Sequence, residues 1–210
     1  MLLQKNNILS LLGFTFLIIL ALSEISFAQS STNFNNVAFA PSGNKVTSIP
    51  IGHAEFCQSR PSECKKNENP IATQTLTQAK WQELLTINSK FNTEIAPVTD
   101  KELYGVEEFW TYANGYGDCE EYVLDKRRSL LQLGWNASTL LIAVLRQESG
   151  EGHAVLMVRT DRGDLVLDNQ ESLIKLWADT PYRYLKRQSQ AHSGQWVDID
   201  DNRTTIVASK

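Results

Sequence analysis

The chain has 210 residues, a length for one domain with room for a short appendage. Apolar residues make up 42% and charged residues 21%, ordinary globular usage that excludes a collagenous, coiled-coil, polytopic membrane or disulfide-dense chain. The net charge of -4 offers no basic footprint, so nucleic acid is not expected as a partner.

Lys5 is the only charge before an apolar run from Ile8 to Leu22, and Ser26-Phe27-Ala28 follows. A basic start, an apolar stretch and a small-x-small site read as a signal peptide over residues 1–28, cleaved before Gln29. An uncleaved anchor is the competing reading, since the run is nearly long enough to span a bilayer when tilted. Cleavage would place the chain in the periplasm or outside the cell. Residues 29–48 are rich in Ser, Asn and Ala and read as a flexible mature N-terminus, with one domain over 49–210.

Export changes what the three cysteines mean, because thiols tend to pair outside the cytosol. Cys57 and Cys64 lie seven positions apart among Gly52, Pro61 and Pro70, in a segment expected to be a disulfide-stapled loop. Cys119 is then left over, either buried and inert or kept for chemistry.

From Thr73 to Ile95 no Pro or Gly intervenes, and Leu76, Trp81, Leu84, Leu85, Asn88, Phe91 and Ile95 recur at helical spacing. This predicts a long amphipathic helix ending before Pro97. Residues 97–117 hold three glycines and five aromatics and read as a loop packed on the body. A second helix is expected over Cys119–Leu133, with Asp118 as N-cap, Glu121 as its capping-box partner and Gly134 as the stop. Strands follow at Thr139–Gln147, His153–Thr160 and Leu165–Asp168, the last two joined through Asp161-Arg162-Gly163-Asp164. The tail carries a Tyr182/Tyr184 pair and a final strand or edge around Trp196–Ile199. Helices first and an antiparallel sheet after them make an α+β fold.

Cys119 opens a helix, where unpaired N–H groups and the positive end of the dipole should lower a thiol pKa. His153 starts a strand beside Gly150 and Gly152, and Asp168 ends the next strand. A nucleophile at a helix N-terminus with His and a carboxylate on neighbouring strands is a papain-type arrangement. A structural histidine and an ordinary Asp-Asn turn are the plainer readings of the same residues. His153 and Asp168 share parity, yet direct opposition pairs Val155 with Val166 and Met157 with Asp164 and requires a wide or bulged connection. A two-residue turn at Arg162-Gly163 instead pairs Met157 with Asp168 and leaves the two about 13 Å apart along the strand.

The strings Gly117-Asp118-Cys119-Glu120-Glu121-Tyr122, Gly152-His153-Ala154-Val155-Leu156 and Val166-Leu167-Asp168-Asn169 resemble the bacterial transglutaminase-like cysteine proteinase family. Trp81, Asn88, Phe91-Asn92, Asp100, Tyr104-Gly105 and Trp110 match the same pattern, as does the Phe56-Cys57 to Cys64 segment. The resemblance covers about residues 50–200 and implies a papain/transglutaminase-like fold, with helices packed on an antiparallel sheet. It further implies a thiol peptidase with Cys119 as nucleophile, His153 as base and Asp168 as orienter. Its substrate would be an exported or surface protein, with release of a large biofilm adhesin as the family's example. Calcium is implied as well, at Asp118, Glu120 and Glu121; capping alone would also explain Asp118 and Glu121. An inner-membrane cyclic-di-GMP receptor is the partner that the family suggests. Acyl transfer or deamidation by the same triad, and a binding module with an inactive site, are the alternative functions.

Overall fold

The computed structural model describes residues 37–203. The signal-peptide reading and residues 29–36 lie outside them. Gly163 has a φ of +105°, and among the described residues no peptide bond is cis.

Among the described residues seven strands form one sheet: β1 (Ser42–Thr47), β4 (Leu140–Arg146), β5 (Gly152–Thr160), β6 (Gly163–Leu167), β7 (Lys175–Leu176), β8 (Arg183–Ser189) and β9 (His192–Ile199). Their order is β1-β9-β8-β4-β5-β6-β7, and every pairing is antiparallel. Two-residue strands β2 (Ala96–Pro97) and β3 (Tyr116–Gly117) pair separately, in parallel. The helices are α1 (Ile51–Ser59), α2 (Gln78–Glu94), α3 (Asp100–Tyr104) and α4 (Cys119–Gln132). Among the described residues, no helix is long and apolar enough to cross a membrane.

The central strand β4 is apolar on both faces because both faces are covered. Leu140 and Ile142 join Ala154, Leu156, Val158, Leu165 and Leu167 beneath the helices, where Leu84, Ile87, Val123, Leu124 and Leu130 close the layer. Leu141, Ala143 and Leu145 join Val155, Met157, Val166, Trp177 and Tyr184 in a second cluster. Removing this much apolar surface from water is the main favourable term holding the two layers together.

Several elements differ from the expectations. The first long helix begins at Gln78, not Thr73, because the Thr77 side chain accepts the Lys80 N–H and caps it there. Residues 74 and 76 instead run extended along the β5–β6 turn, with the Gln74 N–H on the Arg159 carbonyl and the Leu76 N–H on Asp161 Oδ1. The segment expected to be a stapled loop contains α1, which buries Gly52, His53 and Phe56. Its disulfide is present, Cys57 to Cys64, with Cα atoms 5.5 Å apart. The expected loop over 97–117 contains α3, whose Thr99 and Glu102 form a reciprocal capping box. Ser42–Thr47, read as part of a flexible N-terminus, is edge strand β1 on β9.

The β5–β6 hairpin takes neither expected register. The turn is Asp161-Arg162, one residue upstream of the tight turn considered from sequence, and Thr160 pairs with Gly163. Met157 therefore pairs with Val166 and Leu156 with Leu167, with no bulge. A Cβ at Gly163 would lie 2.7 Å from the Ala38 carbonyl oxygen, so its positive φ and the close chain both require glycine.

Candidate active site

Cys119 is the first residue of α4 and Asp118 its N-cap, as the local sequence predicts. Glu121 Oε2 accepts the Asp118 N–H at 2.9 Å and Oε1 accepts the Thr111 N–H at 3.2 Å. Gly117 makes room for that carboxylate, since a Cβ there would come within 2.6 Å of the Glu121 Cβ. This places the Cys119 thiol, partly exposed, in a cleft of about 880 Å³ that also admits His153, Trp110 and Leu145. Helix α4 packs on β5, and the Ala154 N–H at the start of that strand works to lower the thiol pKa.

His153 Nε2 lies 2.9 Å from Asp168 Oδ1, with both side chains buried. The registry puts position 170 opposite His153, so the pair is a diagonal one, two residues short of opposition. With Nε2 donating to Asp168, Nδ1 is the ring nitrogen left to accept a proton. Asp168 is held at every oxygen. Oδ1 also accepts the Gln170 N–H at 3.0 Å, Oδ2 accepts the Tyr182 O–H at 2.5 Å, and its backbone carbonyl accepts the Asn92 Nδ2–H at 2.7 Å. Burial works to raise the Asp168 pKa, but the His153 and Tyr182 hydrogen bonds outweigh it and the group stays below its ordinary value.

The thiol differs from expectation. Burial, then the Glu120 charge and a Glu120 hydrogen bond, push the Cys119 pKa well up, overriding the helix terminus that should lower it. Glu120 Oε2 lies 2.9 Å from Sγ, and Glu120 is itself raised by burial and by Asp118. The carboxylate next to the nucleophile is thus directed at the sulfur.

Asp118 and Glu121 are brought together instead with Asp100, at the start of α3, with one oxygen of each within 4.8 Å of the others. Asp118 is shared with a second cluster formed by Cys119 and Glu120. Asp118 Oδ2 accepts the Asp100 N–H, and Asp100 Oδ2 accepts the Phe109 N–H. The remaining oxygens, Asp100 Oδ1 and Asp118 Oδ1, are buried without a hydrogen-bond partner. Burial, opposed by the Phe109 hydrogen bond and supported by the Asp118 charge, raises Asp100 to about 6. Burial is also the main cause that raises Glu121 to about 8. Buried acceptor oxygens with no donor want a proton or a hard cation, and this all-oxygen set fits the latter. Of the three residues matched to calcium from sequence, Asp118 and Glu121 belong to it and Glu120 faces the thiol.

Tyr182 was legible in sequence only as an aromatic pair with Tyr184, and the contacts of Asn92 and Asp100 were not legible. No local signal announces contacts made across the fold.

The sequence model of a family described as bacterial transglutaminase-like cysteine proteinase matches residues 43–204. Among solved structures, Legionella pneumophila LapG is similar at 24% identity over 56% of this chain and 68% of that one, with a TM-score of 0.47. Its calcium-bound form matches at 21% identity over 65% and 77%, with a TM-score of 0.49. Its EGTA-treated form matches at 22% identity over 58% and 67%, with a TM-score of 0.48. No curated protein matches the chain.

Proposed function

The chain belongs to the bacterial transglutaminase-like cysteine proteinase family and is a cysteine peptidase, and from that premise we propose that Cys119, His153 and Asp168 are its catalytic triad. The observation that carries this reading is the buried 2.9 Å contact of His153 Nε2 with Asp168 Oδ1, beside a thiol in the same cleft. Asp168 holds the ring so that Nδ1 faces the proton it must take. The Cys119 sulfur attacks the scissile carbonyl as its proton passes to His153, and the N–H groups at the start of α4 stabilise the oxyanion. His153 returns the proton to the leaving amine, and water then hydrolyses the thioester.

A thiol whose pKa is pushed up by burial and by Glu120 is activated by handing its proton to the imidazole as it attacks. Asp100, Asp118 and Glu121 are the residues that would hold a calcium ion. When bound, such an ion supplies positive charge next to the helix terminus that carries the nucleophile.

The substrate of this reading is an exported protein segment, and a surface adhesin is the example that family membership supports. The same membership, with the N-terminal apolar run, supports a periplasmic or secreted location and an inner-membrane cyclic-di-GMP receptor as regulator. Incubating the purified chain and its Cys119→Ala variant with secreted protein from the producing cell tests the reading. Discrete cleavage products should appear with the parent chain alone; products of equal yield from both would overturn it.

A further inference from the structure

We propose that Tyr182 is a positioning residue for catalysis, completing a Cys-His-Asp-Tyr chain by holding the second oxygen of Asp168. This rests on reading Asp168 as the orienting acid. The Tyr182 hydroxyl donates to Asp168 Oδ2 at 2.5 Å while His153 occupies Oδ1. A carboxylate bonded through one oxygen can swivel about its Cβ–Cγ bond, whereas one bonded through both cannot. The same tyrosine touches the base directly, its ring packing edge-to-face on the His153 imidazole with centroids 5.7 Å apart. It is braced in turn by Tyr184, which bonds Thr180 at 3.2 Å from within the core. Tyr182 thus contacts both members of the His–Asp pair without lining the cleft that receives substrate.

Burial, with the Asp168 hydrogen bond and charge, raises the Tyr182 pKa, so the phenol remains a donor throughout the working range. Tyr182 and Asp168 also line a second pocket of about 160 Å³. A truncated Tyr182 would open into that space, which offers a small aromatic molecule a place to bind.

The test reads the second-order rate of Cys119 alkylation by iodoacetamide against pH, which needs no known substrate. Asp168→Asn should lower the neutral-pH rate by roughly a hundredfold or more. Tyr182→Phe should lower it by roughly tenfold and move the profile, with the melting temperature little changed. Adding Tyr182→Phe to Asp168→Asn should lower the rate no further, because the hydroxyl acts through Asp168. Tyr182→Ala should regain rate with added phenol and not with toluene, which separates the hydroxyl from the bulk of the ring. A wild-type profile in Tyr182→Phe beside a crippled Asp168→Asn overturns the role of Tyr182 and leaves the triad standing. A further loss in the double variant, or equal rescue by toluene, also overturns it. A wild-type profile in Asp168→Asn overturns the triad itself.

Discussion

His153 and Asp168 meet on a diagonal across the β5–β6 hairpin, two residues away from direct opposition. Strand geometry sets such partners about 7–8 Å apart at the backbone, a gap that an imidazole and a carboxylate close together. The offset is set by the two-residue Asp161-Arg162 turn, and the shared face follows from their even displacement. A bulge is not needed. Tyr182 and Asn92, from β8's approach and from α2, then hold Asp168 at that offset.

Cys119→Ala and His153→Ala should abolish cleavage while leaving the melting temperature within a few degrees of the parent. Asp168→Asn should retain more, losing about 10²–10⁴ in turnover through a misplaced or wrongly protonated ring. Turnover per folded molecule, with melting curves alongside, checks this.

Asp168 should make acid stability pH-dependent. Its folded pKa lies below the ordinary 3.8, so its charged contacts contribute fully above that value and are lost as pH falls through the folded pKa. The melting-temperature gap between the parent and Asp168→Asn should therefore hold from pH 5 to 7 and narrow below about pH 4. A gap that widens in acid would contradict it.

Lys126 is fully buried on α4, and its Nζ has no hydrogen-bond partner. Burial lowers its pKa from 10.5 to about 7, with the Asp168 charge acting weakly the other way. The unfolded chain therefore binds the proton more tightly, and the penalty is full below about 7 and relieved as pH rises toward 10.5. Lys126→Met should raise the melting temperature at pH 6, and by more than at pH 10. Thermal melts at the two values decide.

EGTA should lower the melting temperature and calcium should restore it, through Asp100, Asp118 and Glu121. Asp100→Asn should remove most of that response although Asp100 lies well outside the Asp118–Glu121 motif. Glu120→Gln should keep the response and change Cys119 alkylation instead, since Glu120 faces the sulfur.

Without reductant, intact-mass alkylation should label Cys119 alone, and with reductant all three thiols. Replacing both Cys57 and Cys64 by Ala should cost about 2–3 kcal/mol of stability, measured by urea unfolding.

What the sequence determined by itself is what local chemistry encodes. Asp118 and Glu121 mark the start of α4 through capping, and Gly134, with φ of +81°, marks its end. The apolar runs of β4 and β5 mark strands buried on both faces, and two cysteines seven residues apart, Cys57 and Cys64, mark a bridge. Helix α1 escaped, because its buried Gly52, His53 and Phe56 lie among turn-forming residues and carry no strong period. The tertiary structure alone decided which side chains meet. Asn92 reaches Asp168 across 76 residues, and Asp100 reaches Asp118 across 18. Such contacts depend on how α2, α3 and α4 settle on the sheet, and no propensity or period encodes that. The hairpin register shows the same limit at short range: more than one turn was locally acceptable, and the fold adopts the Asp161-Arg162 turn, with Gly163 close against Ala38 and His153 joined to Asp168. The thiol pKa shows it for electrostatics, because a helix terminus is legible in sequence whereas burial and the direction of Glu120 are properties of the packed molecule.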